Sequence, residues 1–242
     1  MLKKLDGLVG VVTGAGTGIG AAVARELGDA GMRLVLVGRG IEPLAERSAE
    51  GGVGGGDLVA ISAVASDNAA VGRAVGRAVE RWGRLDVLVQ DADCGDFGPM
   101  VQADPALQPD AIEANLLGVI TAVRAALPHM KTRGAGHIVI VSSETRRVTG
   151  AGEQAHVASG GGIVAFTDCL RREVASEGIR VSLIEPGLVE TPLHVYPEAQ
   201  HPVGGVMPLD PNDIARAVKY VVEQPDNVNV FEMMVCPTGQ LV

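Results

Sequence analysis

Short runs of Val, Leu and Ile alternate along the whole chain with longer stretches of helical period, and that alternation leaves few folds open. Strands are expected at residues 8–13, 33–37, 58–62, 85–90, 137–141, 179–184 and 230–235. Helices are expected at 18–30, 42–50, 68–82, 111–131, 154–177 and 211–223. A strand that is apolar at successive positions must be covered on both faces, and a helix between strands provides the crossover that parallel pairing requires. The expected class is therefore α/β: three layers, a doubly wound parallel seven-stranded sheet with helices on both faces.

No repeat or linker interrupts the 242 residues, so a single domain over 1–242 is expected. Apolar residues make up 47% and aromatics only 2%, so the core must be built from Val, Leu, Ile and Ala. The glycine-rich stretch 51–56 reads as a surface loop. Segment 193–209 carries three prolines and no period, as a lid over a substrate would. The net charge of −9, with no Lys/Arg run, argues against nucleic acid as a partner. No apolar stretch approaching 18 residues is apparent, and the first residues read as a strand rather than a signal peptide, so no membrane association is expected. Cys94, Cys169 and Cys236 are scattered and odd in number, which suits a reducing, cytoplasmic setting rather than a disulfide or zinc framework.

The first expected strand ends in Thr13-Gly14-Ala15-Gly16-Thr17-Gly18-Ile19-Gly20 and runs directly into a helix. Glycines at such a turn let the backbone approach a pyrophosphate, to which the helix start offers N–H groups and partial positive charge. The alternative is a turn that only packs helix on strand. The second expected strand ends in Leu36-Val37-Gly38-Arg39. An acidic residue there would hydrogen-bond the ribose of NAD, whereas Arg39 offers a cation to the 2′-phosphate of NADP, or is simply a solvated charge.

The 13–20 segment, Asn115, Ser143 and the Pro186-Gly187 turn together resemble the short-chain dehydrogenase/reductase family, and the resemblance covers essentially the whole chain. Leu85-Asp86-Val87-Leu88-Val89 matches the family's fourth strand, and Asn115-Leu116-Leu117-Gly118 its long central helix. Gly136 to Ser143 matches the strand that carries the catalytic serine, and Pro186 to Pro192 the turn that holds the nicotinamide amide. The ending Pro237-Thr238-Gly239-Gln240 also resembles members of the family. The resemblance implies a Rossmann fold and hydride transfer between a nicotinamide and a small carbonyl or alcohol. It assigns NADP(H) contacts to Gly14, Thr17, Gly18, Ile19, Gly20, Arg39, Ala92, Pro186, Gly187, Val189 and Thr191. It assigns chemistry to Ser143 and Asn115, and it implies a homodimer or homotetramer, or a hetero-oligomer with an intact relative.

The chain departs from the family at its centre. The tyrosine about a dozen residues beyond the serine is here His156, and the lysine four residues later is Gly160. Gln90-Asp91-Ala92-Asp93 stands where the family has Asn-Asn-Ala-Gly, and Val64 stands where an aspartate often contacts adenine. Asp91, Asp93, Val64 and Gly160 all weaken the case for NADP(H) and leave open a chain that binds none. One chemical argument makes the double loss coherent. A free tyrosine, near pKa 10, needs a cationic neighbour to work at neutral pH, whereas a free imidazole, near 6.5, does not. On that argument His156 is the general acid/base and Ser143 orients the substrate oxygen. The alternative is a decayed site in which His156 is merely polar.

Gly160-Gly161-Gly162 would cost a helix about 1 kcal/mol each relative to alanine. Close helix approach, room for a ligand, or a helix that starts only at Ile163 would each account for them. No metal is expected at the acidic loop of Asp91, Asp93, Cys94 and Asp96, whose spacing fits no calcium loop. Arg146 and Arg147 read as a solvated loop or as contacts to an anionic substrate. Three functions follow: an NADP(H)-linked oxidoreductase with an atypical Ser143/His156/Asn115 site, a non-redox enzyme such as a dehydratase, isomerase or cyclase using the same residues for proton transfer, or a catalytically silent ligand-binding subunit.

Overall fold

The computed structural model describes residues 1–40, 57–63, 67–91, 99–102, 107–144, 151–191 and 205–240. Seven strands form one sheet: β1 (Val9–Val12), β2 (Arg33–Gly38), β3 (Leu58–Ser62), β4 (Val87–Gln90), β5 (Gly136–Val141), β6 (Ile179–Pro186) and β7 (Glu232–Val235). They lie in the order β3-β2-β1-β4-β5-β6-β7, and every pairing is parallel. The chain thus winds one way from β1 to β3 and the other way from β4 to β7, leaving a switch point between β1 and β4 where ligands of such sheets bind. The expected helix at 42–50 and the loop at 51–56 lie outside the described residues.

Successive strand residues serve opposite faces, and both faces are apolar. Val12, Leu34, Leu36, Val87, Val89 and Val139 join one core. Val9, Val11, Val35, Val37, Leu88, Ile138 and Ile140 join the other. The first core is closed by α1 (Gly18–Asp29) and α6 (Pro211–Val222), through Val23, Leu27, Ile214, Val218 and Val221. The second is closed by α2 (Asn68–Trp82), α4 (Gly118–Arg133) and α5 (Gln154–Val174). Each fully buried Val or Leu side chain contributes about 1.5–3 kcal/mol.

Local signals set several ends. Asp67 accepts from the Ala70 N–H at the start of α2, and Gly83, at φ 72°, ends it in the left-handed region. Asp210 and Asp213 form a reciprocal capping box around Pro211 at the start of α6.

The structure departs from the expected helix 111–131. A short helix α3 (Leu107–Ile112) precedes it, then a π-helical turn over Glu113–Leu117, and only then α4. The combined stretch Gln108–Arg133 is long and apolar enough to cross a membrane by length and composition, where no such stretch was expected. Its inner side, with Val119, Ala122, Val123, Ala126 and Met130, packs into the second core. The glycines 160–162 lie inside α5, which starts at Gln154 and not at Ile163. A Cβ on Gly162 would sit 2.8 Å from Leu116 Cδ2, so close approach to the π-turn accounts for that glycine.

At the amino end of the sheet, buried Asp86 accepts the Val9 N–H (2.9 Å) and ion-pairs with Arg84 and Arg133 (2.7 Å each). There also, His137 Nε2 lies 2.9 Å from Ser182 Oγ, which donates to the Val230 carbonyl (2.6 Å). The hydroxyl proton being committed to Val230, Nε2 is the donor and carries the imidazole proton.

Candidate active site

The candidate residues gather at the carboxyl end of the sheet. The turn between β1 and α1 is shaped by contacts that only glycine permits. Gly14 has φ +65°, and a Cβ there would overlap the Asp91 carbonyl oxygen. A Cβ on Gly16 would overlap the Arg39 carbonyl oxygen, and one on Gly20 would overlap that of Gly14. Thr17 is the N-cap of α1, and its side chain makes no capping bond. The start of α1 therefore offers N–H groups and a backbone cradle of the kind that receives a pyrophosphate. Arg39, exposed, directly follows β2 and borders this turn.

Across the switch point, the Thr13 hydroxyl donates to Gln90 Oε1 (2.9 Å) and accepts from the Asp91 N–H (3.1 Å). The Asp91 carboxylate leans into the turn: its Oδ2 lies 2.9 Å from where a Cβ on Gly20 would be. Ala92, Asp93, Cys94, Asp96, Val64, Arg146 and Arg147 lie outside the described residues.

Asn115, Ser143 and His156 come from three elements and line one cavity with Val141, Ser142, Ser159, Gly160 and Ile163. The π-turn presents Asn115, the end of β5 presents Ser143, and the first turn of α5 presents His156. The cavity holds about 10 Å³, the space that roughly one water needs. Asn115 is 2% exposed and His156 5%. Gly160, one turn after His156, lines the same space with backbone alone, so the position where the family's lysine would stand supplies no cation.

Ser159 was not singled out from the sequence, and the structure puts it at the centre. Its hydroxyl accepts from Asn115 Nδ2 (3.1 Å) and donates to the His156 carbonyl (2.8 Å). The helical spacing of three from His156 to Ser159 is the signal that could have found it.

The turn after β6 is fixed from two sides. The Gly187 N–H donates to the Val235 carbonyl (2.8 Å). Val189, buried, bridges Leu209, and the Glu190 and Leu209 N–H groups bond across at 3.0 and 2.9 Å. The end of the expected lid is thereby pinned to this turn; its residues 193–204 lie outside the described residues. Pro186 closes β6, and Thr191 follows the turn, half-buried.

Glu144, next to Ser143, is a second residue the sequence did not reveal. Its carboxylate accepts from Cys236 Sγ (3.4 Å) and from Gln240 Nε2. Burial pushes its carboxyl up from the ordinary range, against the lowering effect of those two hydrogen bonds, and the charge of Glu153 adds to the rise. Gln240 Oε1 in turn accepts the Leu188 N–H (3.0 Å). Neither Cys169 nor Cys236 is joined in a disulfide.

Proteins of known structure share this fold. The family model described as short chain dehydrogenase matches residues 9–201. An uncharacterized oxidoreductase of Staphylococcus saprophyticus is 33% identical over 98% of this chain and 100% of its own length. A metagenomic short-chain oxidoreductase solved with NADP is 32% identical, with a TM-score of 0.81 over 98% of this chain and 100% of its own. An alcohol dehydrogenase of Thermococcus sibiricus, solved with 5-hydroxy-NADP, is 27% identical with a TM-score of 0.81, over 95% of this chain and 96% of its own.

Proposed function

The chain belongs to the short-chain dehydrogenase family, and from that premise we propose an NADP(H)-linked oxidoreductase acting on a small carbonyl or alcohol, with His156 in the role of the family's tyrosine. One observation carries this reading: His156 lines the same one-water cavity as Ser143 and Asn115. The glycine cradle at 14–20 fits a pyrophosphate, and Arg39 at the end of β2 fits a 2′-phosphate. When bound, NADPH supplies the hydride for the carbonyl carbon. Ser143 Oγ donates a hydrogen bond to the carbonyl oxygen, and His156 in its imidazolium form passes a proton to that oxygen, leaving the alcohol and a neutral imidazole. In the reverse direction His156 takes the hydroxyl proton. Asn115, held by Ser159, fixes the inner wall of the cavity.

The test begins with fluorescence titration of NADPH and NADH. Tighter binding of NADPH, weakened about tenfold or more in Arg39→Ala, is the expected result, since a charge-assisted hydrogen bond contributes about 1.5–3 kcal/mol. His156→Ala should then lose about 10²–10⁴-fold in turnover while still binding NADPH. Binding of neither nucleotide would overturn the proposal. A non-redox enzyme or a silent subunit is the second reading. Gly160 at the lysine position and the Asp91 carboxylate leaning into the nucleotide turn favour it. A product of unchanged oxidation state would identify the first of these. Unaltered behaviour of His156→Ala would identify the second.

A further inference from the structure

We propose that Gln240, held by Glu144, is a positioning residue for the turn 187–191 that receives the nicotinamide end of the cofactor, a role that rests on the nucleotide reading above. Three neighbouring strands end at one place: Glu144 follows β5, Gly187 follows β6 and Cys236 follows β7. Gln240 joins them through both ends of its amide. Its Nε2 donates to Glu144 Oε1, and its Oε1 accepts the Leu188 N–H at 3.0 Å.

This orientation of the amide is fixed by chemistry. A backbone N–H can only donate, so the oxygen of Gln240 must face Leu188; the nitrogen then faces Glu144, whose carboxylate can only accept. Cys236 Sγ, 3.4 Å from Glu144 Oε2, supports the carboxylate from the other side. The backbone of the turn is packed against all three groups. A Cβ on Gly187 would lie 2.5 Å from Gln240 Oε1, 2.9 Å from Glu144 Oε2 and 3.0 Å from Cys236 Sγ. A shift of the clamp is therefore transmitted to Gly187 and Leu188. None of the clamp's hydrogen bonds reaches the glycine turn at 14–20, which lies beside β1 on the far side of the switch point.

The pair can be exchanged. In Gln240→Glu, two carboxylates face each other and the contact opens. In Gln240→Glu with Glu144→Gln, the new amide donates to the new carboxylate, whose second oxygen still accepts the Leu188 N–H. Calorimetric titration at pH 8 compares NADPH with adenosine 2′,5′-bisphosphate, which lacks the nicotinamide. Gln240→Glu is expected to weaken NADPH about tenfold and leave the bisphosphate within about twofold, and the double variant is expected to recover NADPH affinity to within about threefold. Equal weakening of both ligands would show a merely structural role and overturn the proposal. Unchanged NADPH affinity in the single variant, or no recovery in the double, would overturn it as well. Failure of the unaltered protein to bind either ligand overturns the nucleotide reading and takes this role with it, a result distinct from binding that ignores Gln240.

Discussion

A methyl group on Gly161 would meet nothing within 4 Å, whereas one on Gly162 would press on Leu116 Cδ2 at 2.8 Å. Neighbouring glycines in one helix therefore answer to different constraints. Gly161→Ala should raise stability by about 0.5–1 kcal/mol, the ordinary gain on replacing glycine inside a helix. Gly162→Ala should show no such gain, because Leu116 must move and Leu116 adjoins Asn115. Urea unfolding midpoints of the two variants check this directly. A loss of stability in Gly161→Ala would mean that another surface covers this face of α5 in solution. Gly160 differs from both, since its backbone forms a wall of the cavity beside His156.

The π-helical turn is where one element is bent to serve the site. It holds one extra residue per turn, and π-turns of this kind recur at functional sites. Asn115 lies within it, and Ser159 of α5 holds its amide. Ser159→Ala should cost about 1 kcal/mol of stability through the lost hydrogen bond. It should also lower kcat more than it raises KM, while Ser159→Thr keeps the hydroxyl and most of the rate; steady-state kinetics of both variants decide it. The strands were legible in the sequence because β1, β2, β4 and β5 each carry three or more Val, Leu or Ile residues close together, a pattern that suits a doubly covered sheet. The π-turn was not legible, because Ala114, Val119 and Ala122 keep an apolar stripe through it and the inserted residue leaves no compositional mark. The start at Leu107 was missed although Pro109 suits a first helical turn. Asn115, Ser143 and His156 were legible because motif and order marked them. Glu144, Cys236 and Gln240 were not: 92 and 96 residues separate Glu144 from its two partners, and parallel pairing of β5, β6 and β7 alone brings them together.

At the scale of the whole molecule, the two ends of the sheet hold polar groups for different purposes. The carboxyl end gathers the cavity and the glycine turn, while the amino end buries Asp86 and His137 as ties between elements. Those ties make stability depend on pH in two separate windows. Burial works to raise the Asp86 carboxyl, but Arg84, the Val9 N–H and Arg133 outweigh it and hold it below its ordinary value. The stability it contributes is complete above the unfolded value of about 3.9 and is lost as pH falls below that. Asp86→Asn should therefore flatten the stability curve below about pH 4, which urea midpoints on the acid limb measure. His137 acts higher. Burial, then the charges of Arg180 and Lys3, hold its imidazole well below its ordinary value, so it stays neutral in the folded protein. The unfolded chain takes up a proton at this residue near pH 6.5 and the folded chain does not, so stability falls as pH drops through that value, by at most about 1.4 kcal/mol per unit. Between pH 7.5 and 5.5 the His137 share is at most about 1.4 kcal/mol. His137→Gln can still donate to Ser182 but does not titrate, so its unfolding free energy should lose that much less over the same interval. An equal loss in both proteins would mean that His137 is protonated in the folded state, which its burial and its two cationic neighbours oppose.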